Sequence, residues 1–261
     1  MAKSEVLLSV SKLHTYYAES YVLQGLSLEL RRGQVVAILG RNGMGKTTLV
    51  RSISGLTPAR EGEILFKGGP IQNLRPFEIA QLGMSLVPQG RRIFKNLSVR
   101  ENLLLPTSVL AGKPDGRKGG EGAQEEWTLE KVLIEFPQLR QRLDNGGNEL
   151  SGGEQQMLAI GRALMSNPDL ILMDEPSEGL SPRFVQHVGE MMSRMKSLGH
   201  AILLVEQNLA LALSVADYVY IIASGSFVFS GTPAELSEHP DVLNEHLGVA
   251  GARPLQQPRT S

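Results

Sequence analysis

Short, unbroken apolar runs restrict this chain more than any other feature: Val35 to Leu39, Leu170 to Met173, Ala201 to Val205 and Val219 to Ile222, with a weaker one at Ser85 to Val87. Runs this short and continuous suit strands buried on both faces, as in a parallel sheet covered by helices. Helix-length stretches such as Lys46 to Ser54 and Pro182 to Leu198 lie between them, as crossovers between parallel strands require. The expected fold class is therefore α/β, with a mostly parallel sheet. Leu26 to Leu30 and Ser226 to Ser230 alternate instead, and predict half-buried antiparallel strands flanking that core. From about residue 90 to 165 only helical patterns appear, at Leu103 to Leu105, Leu129 to Phe136 and Met157 to Met165, so a helical subdomain is inserted there. Gly112 to Gly122 reads as a surface loop and Gly251 to Ser261 as a disordered tail, leaving one domain over residues 1–250.

Composition removes whole classes of function. The 26 basic and 27 acidic residues leave a net charge of −1, with no basic block to draw nucleic acid or anionic lipid. Cysteine is absent, which excludes thiol nucleophiles, disulfide scaffolds and thiolate metal sites, and fits a reducing compartment. No apolar run approaches the roughly 18 residues needed to cross a bilayer. Met1 to Glu5 lacks an apolar stretch after its lysine, so no secretory signal is read and the cytoplasm is expected.

Gly40-Arg41-Asn42-Gly43-Met44-Gly45-Lys46-Thr47 follows the first apolar strand and opens a helix, and so fits the phosphate-loop pattern G-x-x-x-x-G-K-[ST] in its required context. Its glycines let the backbone curl until the N–H groups face one concavity at a helix N-terminus. Lys46 would then reach the β- and γ-phosphates, the Thr47 hydroxyl would ligate Mg²⁺, and Thr48 would hold the loop and phosphates. The bland alternative is a glycine-rich turn.

Asp174 and Glu175 end another buried strand, and ligands of open α/β sheets collect at the carboxyl ends of strands. Asp174 is expected to reach Mg²⁺ through water, and Glu175 to polarise an attacking water. Ser151-Gly152-Gly153-Glu154 carries a capping-box pattern, sufficient for a well-capped helix start. The paired glycines weaken that first turn by roughly 1 kcal/mol each relative to alanine. A second anion site approaching the backbone is expected to repay this.

Together the phosphate loop, Leu150 to Gln156 and the strand ending in Asp174-Glu175 resemble the ATP-binding subunits of ABC transporters over almost the whole chain. The resemblance implies ATP and Mg²⁺ as ligands and a dimer in which the signature Ser151, Gly152, Gly153 and Gln155 closes on nucleotide held by the opposing phosphate loop. It further implies Tyr17 as the aromatic that stacks on adenine, with Tyr16 as its competitor. Gln89 would be the Q-loop glutamine near Mg²⁺ and the membrane partner, and Ser177 to Leu180 the D-loop. The segments Val87 to Phe94, Glu175 to Leu180 and Leu204 to Asn208 resemble LivF-type subunits of branched-chain amino acid importers, and share much with the ATPases of urea and short-chain amide uptake. Implied partners are transmembrane permease subunits, a second ATP-binding subunit (a LivG-type chain or another copy) and, indirectly, a periplasmic binding protein. The implied location is peripheral, on the cytoplasmic face of the inner membrane.

One departure stands out. Most members of the family carry a histidine where this chain has Gln207, which can donate a hydrogen bond to a γ-phosphate but cannot titrate near neutral pH. His200 precedes its strand and is expected at the wrong end of the sheet to substitute. Met191, Met192 and Met195 read as core filler, and Arg91 and Arg92 as a solvated face or a permease contact. The rival readings are an ABC ATPase acting on nucleic acid or ribosomes, disfavoured by the absence of coiled-coil insertions and basic regions, and a binding-only regulator, disfavoured by Lys46, Asp174 and Glu175.

Overall fold

The computed structural model describes residues 5–110 and 126–248, so the expected loop at 112–122 and the tail at 251–261 lie outside the described residues. Two long strands, β1 (Val6–Tyr17) and β2 (Ser20–Arg31), lead into β3 (Val35–Leu39), the phosphate loop and α1 (Lys46–Ile53). There follow β4 (Glu61–Phe66), β5 (Gly69–Pro70), α2 (Pro76–Gln81) and β6 (Met84–Val87). Helices α3 (Val99–Leu110), α4 (Leu129–Glu135), α5 (Pro137–Arg140) and α6 (Gly152–Leu164) come next. The chain then alternates through β7 (Leu170–Asp174), α7 (Pro182–Ser197), β8 (Ala201–Glu206), α8 (Leu209–Val215), β9 (Tyr218–Ala223), β10 (Ser226–Gly231) and α9 (Pro233–Ser237).

The large sheet has the order β10-β9-β3-β8-β7-β6, parallel from β9 to β6, with β10 antiparallel at one edge. The apolar runs are unbroken because both faces of this sheet are covered. Val35, Ala37 and Leu39 of β3 pack with α6, α7 and α8, whereas Val36 and Ile38 pack with α1 and the second sheet. The methionines of α7 at 191, 192 and 195 are buried in the first of these layers.

That second sheet, in the order β2-β1-β4-β5, is antiparallel and contains the alternating Leu26 to Leu30 segment. Strand β1 hides from period-two reading because its register slips between Val10 and Leu13, where Lys12 has a positive φ of 47°. Such a slip moves the apolar set from one face to the other in sequence without moving it in space.

The link from the helical region to the sheet is polar and buried. Trp127 Nε1 donates to His200 Nε2 at 2.8 Å, so His200 is neutral and its Nδ1 donates to the Pro168 carbonyl at 2.9 Å. Burial holds its pKa below the ordinary value, outweighing the Pro168 and Asp169 contributions.

Candidate functional site

The phosphate loop, Glu206-Gln207, Asp174-Glu175 and Gln89 follow strands β3, β8, β7 and β6, which are neighbours in the sheet, so one carboxyl edge gathers all four segments. His200 precedes β8 and lies at the opposite edge, as expected.

Local sterics explain the loop glycines. Gly43 and Gly45 have φ of 81° and 105°, and a Cβ on Gly40 would stand 2.6 Å from the Ile222 carbonyl oxygen. The loop borders a cavity of about 370 Å³ lined by Asn42, Gly43, Gly45, Lys46, Thr47 and Thr48, with Val22, Gln89 and Glu175 completing the wall. A larger groove of about 880 Å³ lies between α7 and α8, with Val185, Gly189 and Leu211 among its lining. It contains none of the phosphate-loop residues, so the chemistry places the candidate site in the smaller cavity.

Lys46 is 4% exposed, and its Nζ donates to the carbonyls of Gly40 at 2.8 Å and Arg41 at 3.1 Å. It also pairs with Glu175 Oε1 at 3.1 Å. The other Glu175 oxygen accepts from Gln89 Nε2 at 3.0 Å, and the same amide donates to Glu178 at 3.1 Å. The Thr47 hydroxyl donates to Asp174 Oδ1 at 3.1 Å. The two carboxylates thus take separate partners. Glu175 leaves β7 with a φ of 49°, fixed by its N–H bonding the Val205 carbonyl at 2.8 Å, and both carboxylates turn toward the phosphate loop. A non-glycine residue in that region costs of order 1–3 kcal/mol, a strain the surrounding structure must hold.

Asp174, Glu175 and Glu206 are buried carboxylates, and Lys46 is the buried cation among them. A hydroxyl beside a buried carboxylate is a hard-oxygen set that suits Mg²⁺, which takes one or two protein oxygens and fills its octahedron from phosphate and water. Among the described residues no group of three or more His, Cys, Asp or Glu could hold a metal by itself. Gln89 does not join Thr47 and Asp174 in this pairing; its amide nitrogen is turned to Glu175 and Glu178.

The Asp174 carboxyl is pushed up to about 6, first by burial and further by the Glu175 charge, against the Thr47 hydroxyl and Lys46. An acid whose folded pKa lies above its unfolded value of 3.8 loses stability as pH rises through that interval. Asp174→Asn is therefore expected to stabilise the nucleotide- and Mg²⁺-free protein at pH 8 by on the order of 1–3 kcal/mol, read as a higher melting temperature, and to gain less near pH 4.5. Thermal unfolding at the two pH values checks this; a variant less stable at both would contradict a raised Asp174 pKa.

The two tyrosines differ in their surroundings. Tyr16 is sandwiched, stacked on Tyr21 at 4.5 Å between centroids and covered by the Arg60 guanidinium at 4.1 Å. Tyr17 is 44% exposed, with its hydroxyl 3.4 Å from Thr57 Oγ1, and so presents a ring face that Tyr16 cannot.

Ser151 caps α6, accepting the Glu154 N–H at 3.3 Å while Glu154 accepts the Ser151 N–H at 2.8 Å. Its exposed side chain, Gly152, Gly153 and Gln155 do not line the phosphate-loop cavity. The paired glycines also answer to contacts within the chain. A Cβ on Gly153 would lie 2.6 Å from the Phe184 ring of α7, and one on Gly152 would lie 3.0 Å from the Arg91 guanidinium. The Phe184 ring therefore demands a glycine at 153, whereas the flexible Arg91 side chain could yield at 152. Arg91 is accordingly folded against α6, not simply solvated. The Gln155 amide donates to the carbonyls of Gly147 at 3.3 Å and Leu150 at 3.1 Å, which shapes the signature loop. Gln207 is exposed just past the carboxyl end of β8 and is not among the residues lining the cavity; its backbone N–H bonds the Glu206 carboxylate.

Sequence reasoning passed over Val22, named Glu178 only as part of the D-loop, and gave Glu206 no role. Glu206 carried a usable signal, an acidic residue closing a buried apolar run as Asp174 does.

A family model described as "ABC transporter" matches residues 23–178. The high-affinity branched-chain amino acid transport ATP-binding protein BraG of Pseudomonas aeruginosa is 38% identical, covering 93% of this chain and 100% of that protein. The probable branched-chain amino acid transport ATP-binding protein LivF of Archaeoglobus fulgidus is 34% identical over 93% of this chain and 99% of its own length. Among solved structures, a nucleotide-free ATP-binding cassette from an ABC transporter superposes with a TM-score of 0.77 at 30% identity, covering 92% of this chain and 96% of that one.

Proposed function

Because this chain belongs to the ABC transporter family of ATP-binding proteins, we propose that it is the ATP-hydrolysing subunit that energises a branched-chain amino acid importer. The observation that carries the chemistry is the buried contact of Glu175 with Lys46 at the wall of the phosphate-loop cavity. The solute assignment rests on the likeness to BraG and LivF over nearly the whole chain.

In this reading Tyr17 offers its exposed ring to adenine, and the N–H groups of Gly40 to Thr48 wrap the phosphates. Lys46 transfers its charge from Glu175 and the loop carbonyls to the β- and γ-phosphates. That frees Glu175 to take a proton from the attacking water, while Gln89 orients its carboxylate. Thr47 and Asp174 hold Mg²⁺, which when bound neutralises charge developing on the phosphate oxygens. Gln207 donates its amide to the γ-phosphate. Ser151, Gly152 and Gly153 serve the nucleotide of an opposing subunit, and Gln155 keeps that loop in shape.

The working unit pairs this chain with a LivG-type chain, or with a second copy, on the cytoplasmic face of the inner membrane. Permease subunits receive the motion, and a periplasmic binding protein supplies solute from the far side. The chain attaches peripherally; no helix among the described residues is long and apolar enough to cross a membrane. A one-domain reading over residues 1–250 fits this role.

The test is ATP hydrolysis by the complex reconstituted in liposomes with its permease and binding protein. Leucine, isoleucine or valine is expected to stimulate turnover. Stimulation by urea or a short-chain amide alone would overturn the solute assignment. A complex containing two copies of this chain and no second ATP-binding subunit would overturn the mixed pair.

A further inference from the structure

We propose that Glu206 is a positioning residue for hydrolysis: its carboxylate fastens the turn that begins at Glu175 to the turn that carries Gln207, so that the two move as one unit. Glu206 ends β8 and is 2% exposed. One of its oxygens accepts the Ser177 N–H at 2.9 Å, and the other accepts the N–H groups of Gln207 and Asn208, each at 3.0 Å. Donors from two separate segments thus converge on a single side chain. A carboxylate suits this arrangement because both its oxygens are acceptors, whereas an amide would put a donor against donors at one end. Hydrogen bonds to a charged acceptor are also roughly twice as strong as neutral ones. A buried carboxylate is tolerated only where such partners are fixed.

The segments it joins are separate in the chain. The first is a closed turn: the Glu178 N–H bonds the Glu175 carbonyl at 3.1 Å, and the Leu180 N–H bonds the Ser177 carbonyl at 3.2 Å. It is tied to β8 at the Val205 carbonyl by the Glu175 N–H, and at Glu206 by the Ser177 N–H. The second begins α8, where Asn208 Oδ1 caps the Leu211 N–H at 3.1 Å. Displacing the 177–180 turn therefore pulls on Gln207 and the start of α8 through Glu206. This inference rests on the proposed reading, in which Glu175 and Gln207 both address the γ-phosphate and the 177–180 turn faces the opposing subunit. Closure of the pair would then set both residues together.

Two measurements test the link. In the isolated chain, Glu206→Ala is expected to raise amide hydrogen exchange at Ser177, Gln207 and Asn208 together, with β7 and the rest of β8 still protected. In the assembled complex, the same variant is expected to lower kcat by about 10- to 100-fold, with the KM for ATP within about threefold of wild type, because hydrogen bonds to a charged group are lost. Glu206→Gln keeps the length and one of the two ties, and is expected to recover part of kcat. Unchanged kcat in Glu206→Ala, exchange that rises on one segment only, or a joint collapse of kcat, ATP binding and melting temperature would each overturn the assignment. Exchange is read without nucleotide, so wild-type complex that failed to hydrolyse ATP would count against the proposed function and leave the exchange result to judge Glu206.

Discussion

Glu175→Gln is expected to slow ATP turnover by about 10²- to 10⁴-fold while ATP still binds, the usual worth of a positioned general base. That corresponds to about 3–5 kcal/mol of barrier. The substitution keeps the shape of the side chain, so the turn fixed by the Glu175 N–H and the Val205 carbonyl remains. It removes the negative charge that Lys46 meets at 3.1 Å, so the lysine is released more easily to the phosphates. A stalled, ATP-loaded pair of subunits should then accumulate and elute earlier on sizing when Mg²⁺ and ATP are present. Turnover within twofold of wild type would remove Glu175 from the role of base.

The architecture was legible wherever burial had one simple period. β3 and β7 are buried along their whole length, and an unbroken apolar run admits few other readings. Strand β1 was not legible, because the slip near Lys12 scrambles its alternation. Strand β4 offered no better signal, since Glu61 to Glu63 at its start are exposed.

The same division runs through the site. The phosphate loop could be read because Gly43 and Gly45 answer to a positive φ, a local backbone demand that sequence encodes directly. The packing around Gly152 and Gly153 could not be read, because the groups beside them, Arg91 and Phe184, approach from distant segments. Glu206 escaped notice for a related reason. Its partners are backbone N–H groups, which every residue except proline possesses, so no residue type in the sequence marks them.

Lys46→Ala is expected to lower ATP affinity by at least about 100-fold, about 3 kcal/mol, because the β- and γ-phosphates lose their mobile cation. A second effect follows from burial. The side chains of Lys46 and Glu175 are 4% and 8% exposed, and removing one partner of a buried pair costs about 3–5 kcal/mol when the other stays charged. The Gln89 amide, which also donates to Glu175, offsets part of that loss. Lys46→Ala alone should therefore melt well below wild type at pH 7.5. Adding Glu175→Gln removes the orphaned charge, so the double variant should recover much of the stability and none of the ATP affinity. This split separates the two roles of the lysine, because stability depends on Glu175 and binding depends on the nucleotide. A double variant that stays as unstable as Lys46→Ala would mean that the pair contributes little to the fold, and wild-type ATP binding in either variant would dismiss the loop as a phosphate site.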